Sequence, residues 1–401
     1  MTKMSTKWDN DEVIQRFREY LKVPSVHPDP DYDGCVEFLK QQAKDLDLPV
    51  AVYEIVPKKP VVVITWEGLQ PKESSIMLNS HMDVVPVYEE HWTHPPFDAV
   101  VSEDGYIYAR GTQDMKGVGM MHLEAIRNLK NAGIRLKRTL HVTFVPDEEI
   151  GGTDGMCAFT RSDAFKALNV GFELDESGPS PHPTLIYAFN SERTSRQIIV
   201  TCKGTPGHGS MILPDTAGEK LHYIINKFMT LRAEEKVKLE KGAWCGDVTA
   251  INLTVISGGV QINVVPESLT VAFDIRIACD VDLDEFENTI LRWCKEAGEN
   301  VTFEYTQKDP FIKGTVLNDD LVYWTVMKKA INDMGLEIEA VTCPGATDAR
   351  YVREQGVPAI NFTPMLNSAL LVHCHDETLH VEVYKKGIDI MQKVVEAVAN
   401  V

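Results

Sequence analysis

Leu140–Gly152 reads LHVTFVPDEEIGG: a strand-forming run, LHVTFV, meets a proline, three adjacent acids and a glycine turn. A strand that ends in acids sets them where open α/β sheets place their ligands, at the carboxyl edge. Two neighbouring carboxylates there can divide the work. Glu149 can bind a metal while Glu148 handles the protons of a metal-activated water.

Four further segments have the same character: NSHMDVVP (Asn79–Pro86), ARGTQDMKG (Ala109–Gly117), LDESG (Leu174–Gly178) and HCHDETLH (His373–His380). An acid after a strand commonly caps the next helix. Five segments bearing metal-type side chains in one chain exceed what capping explains. Histidine and carboxylate donors without cysteine suit a pair of zinc ions. Paired sites use a bridging carboxylate, and Asp114 is the best placed. It lies between a strand-like YIYAR and a helix-like stretch, Met115–Ala132, that Gly133 would terminate.

At 401 residues the chain is too long for one small core, which makes two domains the expectation. No run approaches the roughly 18 to 20 apolar residues that span a bilayer. The N-terminal MTKMSTKWDNDEV lacks the apolar region of a signal peptide, so a cytoplasmic location is expected. The eight cysteines are scattered with no CxxC pair, which suits reduced, buried thiols; Cys374 stands between two histidines, but a thiolate would be an odd addition to a carboxylate and imidazole site, so no role is expected of it. A net charge of −19 argues against nucleic acid and anionic membrane as partners, and it obliges an anionic substrate to find a local cationic clamp.

The fold expected is α/β. Asn10–Leu46 reads as helical, followed by strands at Ala51–Ile55, Val61–Thr65 and Ser75–Asn79, in a mixed, largely parallel sheet. From Arg196 the pattern becomes strand (Gln197–Cys202), helix (Thr216–Lys236), strand (Thr249–Ile256), strand (Ser268–Ile277), helix (Leu283–Ala297) and strand (Thr302–Tyr305). This βαββαβ order matches a ferredoxin-like unit inserted as its own domain. Helix then returns at Leu321–Met334, with strand and loop to Asn361 and a last helix near Val381–Ala399. A discontinuous catalytic domain, 1–193 and 312–401, thus encloses an inserted domain, 194–311.

In this order, SHMDVVP, ARGTQDMKG, VPDEEIGG, TPGHGS, GGVQINVVP, FDIRIA, PGATDARY and HCHDETLH resemble the family of di-zinc aminoacylases and related carboxypeptidases, over nearly the whole chain. The resemblance implies two zinc ions per subunit, one held by His81, Asp114 and Glu176, the other by Asp114, Glu149 and His373. It also implies that Asp83 orients the His81 ring and that the peptide after Asp114 is cis. Asp175 competes with Glu176, since pointing alternates along a strand and one of the two reaches a metal; the family pattern favours Glu176. His373 and His375 would share a strand face, with the spacing to Glu377 favouring His373. His380 reads as structural.

The activity so implied is hydrolysis of the amide bond of N-acyl-L-amino acids, N-acetylated neutral aliphatic ones preferred, with Glu148 as general base. In the family a histidine matching His208 arrives from the partner subunit to stabilise the oxyanion, so the inserted domain would serve as lid and homodimer contact. Arg276 and Arg350, with Asn263, would receive the substrate's α-carboxylate. A dipeptidase or carboxypeptidase, or a hydrolase of long-chain N-fatty-acyl amino acids, would use the same scaffold. A non-catalytic binding protein would have no need of Glu148.

Overall fold

Ser75–His81 runs parallel to Leu140–Val145 on one side and to Val170–Asp175 on the other, and the first two strands are buried at every residue. Val170–Asp175 also pairs in parallel with Ala359–Phe362. These four form the centre of an eight-stranded sheet in the order Val50–Val56, Lys59–Trp66, Leu140–Val145, Ser75–His81, Val170–Asp175, Ala359–Phe362, Leu185–Glu192, Glu337–Cys343. Antiparallel pairs flank the centre on both sides. The sheet is therefore mixed, with three parallel pairs at its centre, rather than largely parallel. Val50–Val56 returns through a tight turn into Lys59–Trp66, and a short turn can only join antiparallel neighbours, whereas the central strands are joined by helical crossovers.

The computed structural model describes residues 7–401. Helix Lys116–Asn131, buried for most of its length, covers the centre of the sheet. Gly119 makes that contact close: a Cβ there would come within 2.5 Å of Ser80 Oγ. Where one helix was expected over Asn10–Leu46, two stand, Glu12–Leu21 and Asp33–Asp45. Pro24, Pro28 and Pro30 lie between them and cannot sit in a helix interior. The last helix, Val381–Val398, packs on Lys116–Asn131 and on Val322–Asp333.

Two compact units result. One comprises the described residues to Asn190, Gly314–Ala340 and Thr347–Val401; the other comprises Ser191–Lys313 and Val341–Ala346. The second unit holds an antiparallel sheet ordered Ala250–Gly258, Ser268–Ile277, Thr194–Lys203, Val301–Lys308, with helices Ala217–Glu240 and Leu283–Ala297. It has its own core, including Ile198, Phe228, Phe273 and Trp293. Thr216 and Glu219 form a capping box at the start of its long helix. Val341–Ala346 joins this unit through main-chain acceptors: Trp244 Nε1 donates to Thr342 O at 2.7 Å and Arg193 Nε to Pro344 O at 3.0 Å. Carbonyl contacts of that kind leave no trace in side-chain pattern. Among the described residues no helix is long and apolar enough to cross a membrane, and all eight cysteines are free thiols.

Candidate metal centre and active site

The carboxyl ends of the parallel strands bring the acids together. His81 is the last residue of its strand, Glu148 and Glu149 form a 3-10 turn that begins three residues past Val145, and Glu176 directly follows Asp175. Asp114 enters from the loop before helix Lys116–Asn131, across a cis peptide to Met115. Its two oxygens face different histidines: Oδ1 lies 3.0 Å from His81 Nε2, and Oδ2 lies 3.1 Å from His373 Nε2. His81 Nε2 is also 3.3 Å from Glu176 Oε1 and 4.0 Å from Glu148 Oε2, while His373 Nε2 is 3.0 Å from Glu149 Oε2. Among the described residues two groups could hold a metal ion, His81 with Asp114 and Glu149, and His81 with Glu148 and Glu176.

Tautomer chemistry tests the fit. His81 Nδ1 sits 2.8 Å from the main-chain carbonyl of Asp83, which can only accept, so Nδ1 carries the proton. In the neutral ring the Nε2 lone pair then points at the oxygens of Asp114 and Glu176, and a cation between them would satisfy both sides. Four acids crowd two imidazoles, so that ionising all four leaves a negative excess even with both rings protonated, and Glu149 Oε1 is buried without a hydrogen-bond partner. The donor set fits divalent metal ions.

The pKa shifts express the same crowding. Burial pushes Glu148 and Glu176 well above the carboxylate range, aided by the charge of Glu176 on Glu148 and of Asp114 on Glu176; burial and Asp114 push Glu149 to about 7. Hydrogen bonds to Asp114 and Glu149 lift His373 to about 10. Burial opposes protonation of His81, but Glu176 and Asp114 prevail and its pKa is raised.

Asp83 differs from expectation. Its carboxylate is 3.6 Å from His81 Nδ1, and its main-chain carbonyl is what orients the ring. The carboxylate is already engaged, accepting from Glu148 N at 3.2 Å and Glu149 N at 3.1 Å, with His27 Nε2 at 2.8 Å. It thereby sets the turn that presents both acids. Sequence reasoning missed His27, which sits in a proline-rich stretch without a motif. Asp348 was missed too: it is buried, neither oxygen has a hydrogen-bond partner, and burial with the nearby Asp175 raises its pKa.

Asp175 is occupied elsewhere, accepting from Asn79 Nδ2 at 3.1 Å and Ala349 N at 2.8 Å, while its neighbour Glu176 faces His81. The HCH segment is a turn rather than a strand, since His373 and Asp376 both take positive φ, 63° and 53°. This turn separates the two histidines: His373 meets Asp114 and Glu149, whereas the ring of His375 lies 5.1 Å from that of His91. His380 caps the last helix, accepting from Glu382 N. Arg350 Nη2 donates to Gly151 O at 2.8 Å, beside the turn of Glu148 and Glu149.

In the second unit His208 and Asn263 are neighbours, since Gly207–His208 pairs with Val264–Val265 and Gly209 N donates to Asn263 O at 2.8 Å. His208 is exposed, with Nδ1 2.8 Å from Ser210 Oγ. Arg276 Nε donates to Asp274 at 2.9 Å and Nη1 to Ser195 Oγ at 2.7 Å.

Residues 77–397 match the model of peptidase family M20/M25/M40. The chain is 47% identical over 389 residues to aminoacylase-1 of Sus scrofa, covering 97% of this chain and 95% of that one. It is 44% identical over 402 residues to aminoacylase-1 of Homo sapiens, covering 99% and 98%. Among solved structures it is similar in fold to an M20 family metallo-carboxypeptidase of Sulfolobus solfataricus, with a TM-score of 0.73 at 17% identity over 97% of this chain and 99% of that chain. A family match over most of the chain and near-complete alignment with these relatives agree with the strand-end acids and histidines: the chain belongs to peptidase family M20/M25/M40.

Proposed function

We propose that this protein hydrolyses the amide bond of N-acyl-L-amino acids, N-acetylated neutral aliphatic ones preferred, to a carboxylate and a free L-amino acid. The observation that carries the reading is the division of Asp114 between two histidines, with Glu148 Oε2 beside the pair, 4.0 Å from His81 Nε2. Near-full-length similarity to aminoacylase-1 supports the choice of substrate.

His81, Asp114 and Glu176 would hold one zinc ion, and Asp114, Glu149 and His373 the other. When bound, the metals act as Lewis acids and lower the pKa of water. Glu148 takes the proton of the attacking water and passes it to the leaving amine; its burial, which favours the protonated carboxyl, suits that shuttle. Asp83 holds the two main-chain N–H groups that aim Glu148 and Glu149. His208, from the partner subunit of a homodimer formed through the inserted domain, steadies the oxyanion. Arg276 and Arg350, with Asn263, bind the substrate carboxylate. A cytoplasmic location accords with the sequence.

The test is amine release from N-acetyl-L-methionine before and after a strong chelator, then with zinc restored. Loss and recovery support the reading. Metal-loaded protein that ignores this substrate and cleaves a free dipeptide overturns it.

A further inference from the structure

Glu377 is fully buried, and its carboxylate collects donors from five consecutive residues of the Asp114 loop. Oε2 accepts from Arg110 Nη1 at 2.7 Å and Gly111 N at 3.1 Å; Oε1 accepts from Gln113 N at 2.6 Å, Thr112 Oγ1 at 3.2 Å and Asp114 N at 3.3 Å. Arg110 is itself 2% exposed, so the pair is sealed from water. The loop returns the contact. Gln113 Nε2 donates to Ala369 O at 3.1 Å and Thr378 O at 2.9 Å, and its Oε1 accepts from Leu371 N at 2.9 Å.

Each loop thus reads the main chain of the other, and each carries one side chain of the same cluster: Asp114 on the first, His373 on the second. A carboxylate that satisfies three main-chain N–H groups of one turn, those of Gly111, Gln113 and Asp114, fixes where the Asp114 side chain points. Resting on the metal reading above, we infer that Glu377 and Gln113 are a reciprocal positioning pair that sets the spacing of Asp114 and His373 and so the affinity for the metal between them. Neither residue touches the reacting atoms.

The experiment is zinc titration against a competing chelator, with hydrogen exchange of the amides of Gly111, Gln113 and Asp114 in the metal-free protein. Glu377→Gln replaces one acceptor oxygen by a donor; it should weaken zinc binding roughly 10- to 100-fold and speed exchange at those amides. Gln113→Met leaves the Arg110–Glu377 pair intact and should still weaken zinc binding several-fold, which keeps the inference testable where Glu377→Gln fails to fold. Folded variants that bind zinc as tightly as wild type, with a lowered melting temperature alone, would show Glu377 to be a core ion pair and nothing more. Asp114→Asn and His373→Ala are the reference: zinc binding unchanged in them sinks the metal reading itself, whereas loss in them with wild-type affinity in Glu377→Gln sinks only the positioning.

Discussion

The two units treat polar groups in opposite ways. Among the described residues, the buried side-chain atoms without a hydrogen-bond partner all belong to the first unit, including Glu149 Oε1, both oxygens of Asp348 and both ring nitrogens of His122. The second unit has none. Its functional candidates are exposed or locally paired: His208 with Ser210, Arg276 with Asp274 and Ser195. An unpaired polar group in an interior costs about 1–3 kcal/mol, more when charged, so folding alone would remove it. Where several persist around one pocket, something outside the chain completes them. A satisfied, exposed histidine carries no such message, and only its context gives it a role.

The variant with the largest effect tests the first half of that contrast. Glu148→Gln keeps size and polarity but abolishes proton transfer, so kcat should fall by about 10²–10⁴-fold with bound zinc unchanged. Turnover indifferent to this change would mean the crowded pocket serves binding rather than chemistry.

The second unit is tested next. His208→Ala should lower kcat by about 10²–10³-fold with little change in KM, the signature of a lost oxyanion donor. Because that histidine is proposed to act across a dimer, mixing Glu148→Gln and His208→Ala subunits should restore activity: each mixed dimer carries one site with both residues intact. Failure to complement places His208 in its own subunit's site or in none.

Smaller effects are expected of the arginines. Arg350→Ala and Arg276→Ala each lose a charge-assisted contact to the substrate carboxylate, and KM for N-acetyl-L-methionine should rise roughly 10- to 100-fold with zinc content intact. Arg350 also holds Gly151 O, and Arg276 also pairs with Asp274. An unchanged KM with a lowered melting temperature would confine either one to these structural contacts.

Legibility in the sequence follows the same division. His81, Glu149 and the Asp175–Glu176 pair stand out because metal chemistry restricts residue type and strand-end placement restricts position; Asp114 stands in a loop and His373 in a turn, and the choice of Glu176 over Asp175 came with the family resemblance. The helix of the second unit that starts at Thr216 carries a capping box, Thr216 with Glu219, and its strands alternate in burial, both of which are local features. What escaped is carried by the main chain. His27 reaches the Glu148 turn only through Asp83, and Glu377 reads N–H groups more than 260 positions away. No local pattern encodes such contacts. The HCH turn was misread as a strand because its positive φ values fall on histidine and aspartate rather than glycine.

The mildest perturbation asks whether every unpaired group of the first unit belongs to the pocket. His122 lies in helix Lys116–Asn131 with both ring nitrogens unpartnered, and burial depresses its pKa to about 3; burial likewise holds His141 down to about 4. Each binds a proton in the unfolded chain near pH 6.5 but not in the folded one. Stability present above pH 6.5 is therefore lost as pH falls toward the folded pKa, by up to about 1.4 kcal/mol per pH unit for each ring. His122→Leu should remove one such share. Urea unfolding of the metal-free protein at pH 7 and pH 5 measures it: the variant should lose less stability between the two than wild type while binding zinc normally. Equal losses would mean that His122 takes up its proton in the folded state. Weakened zinc binding would instead tie this histidine to the pocket, and the first unit's unpaired groups would then form one connected system rather than a site and a separate cost.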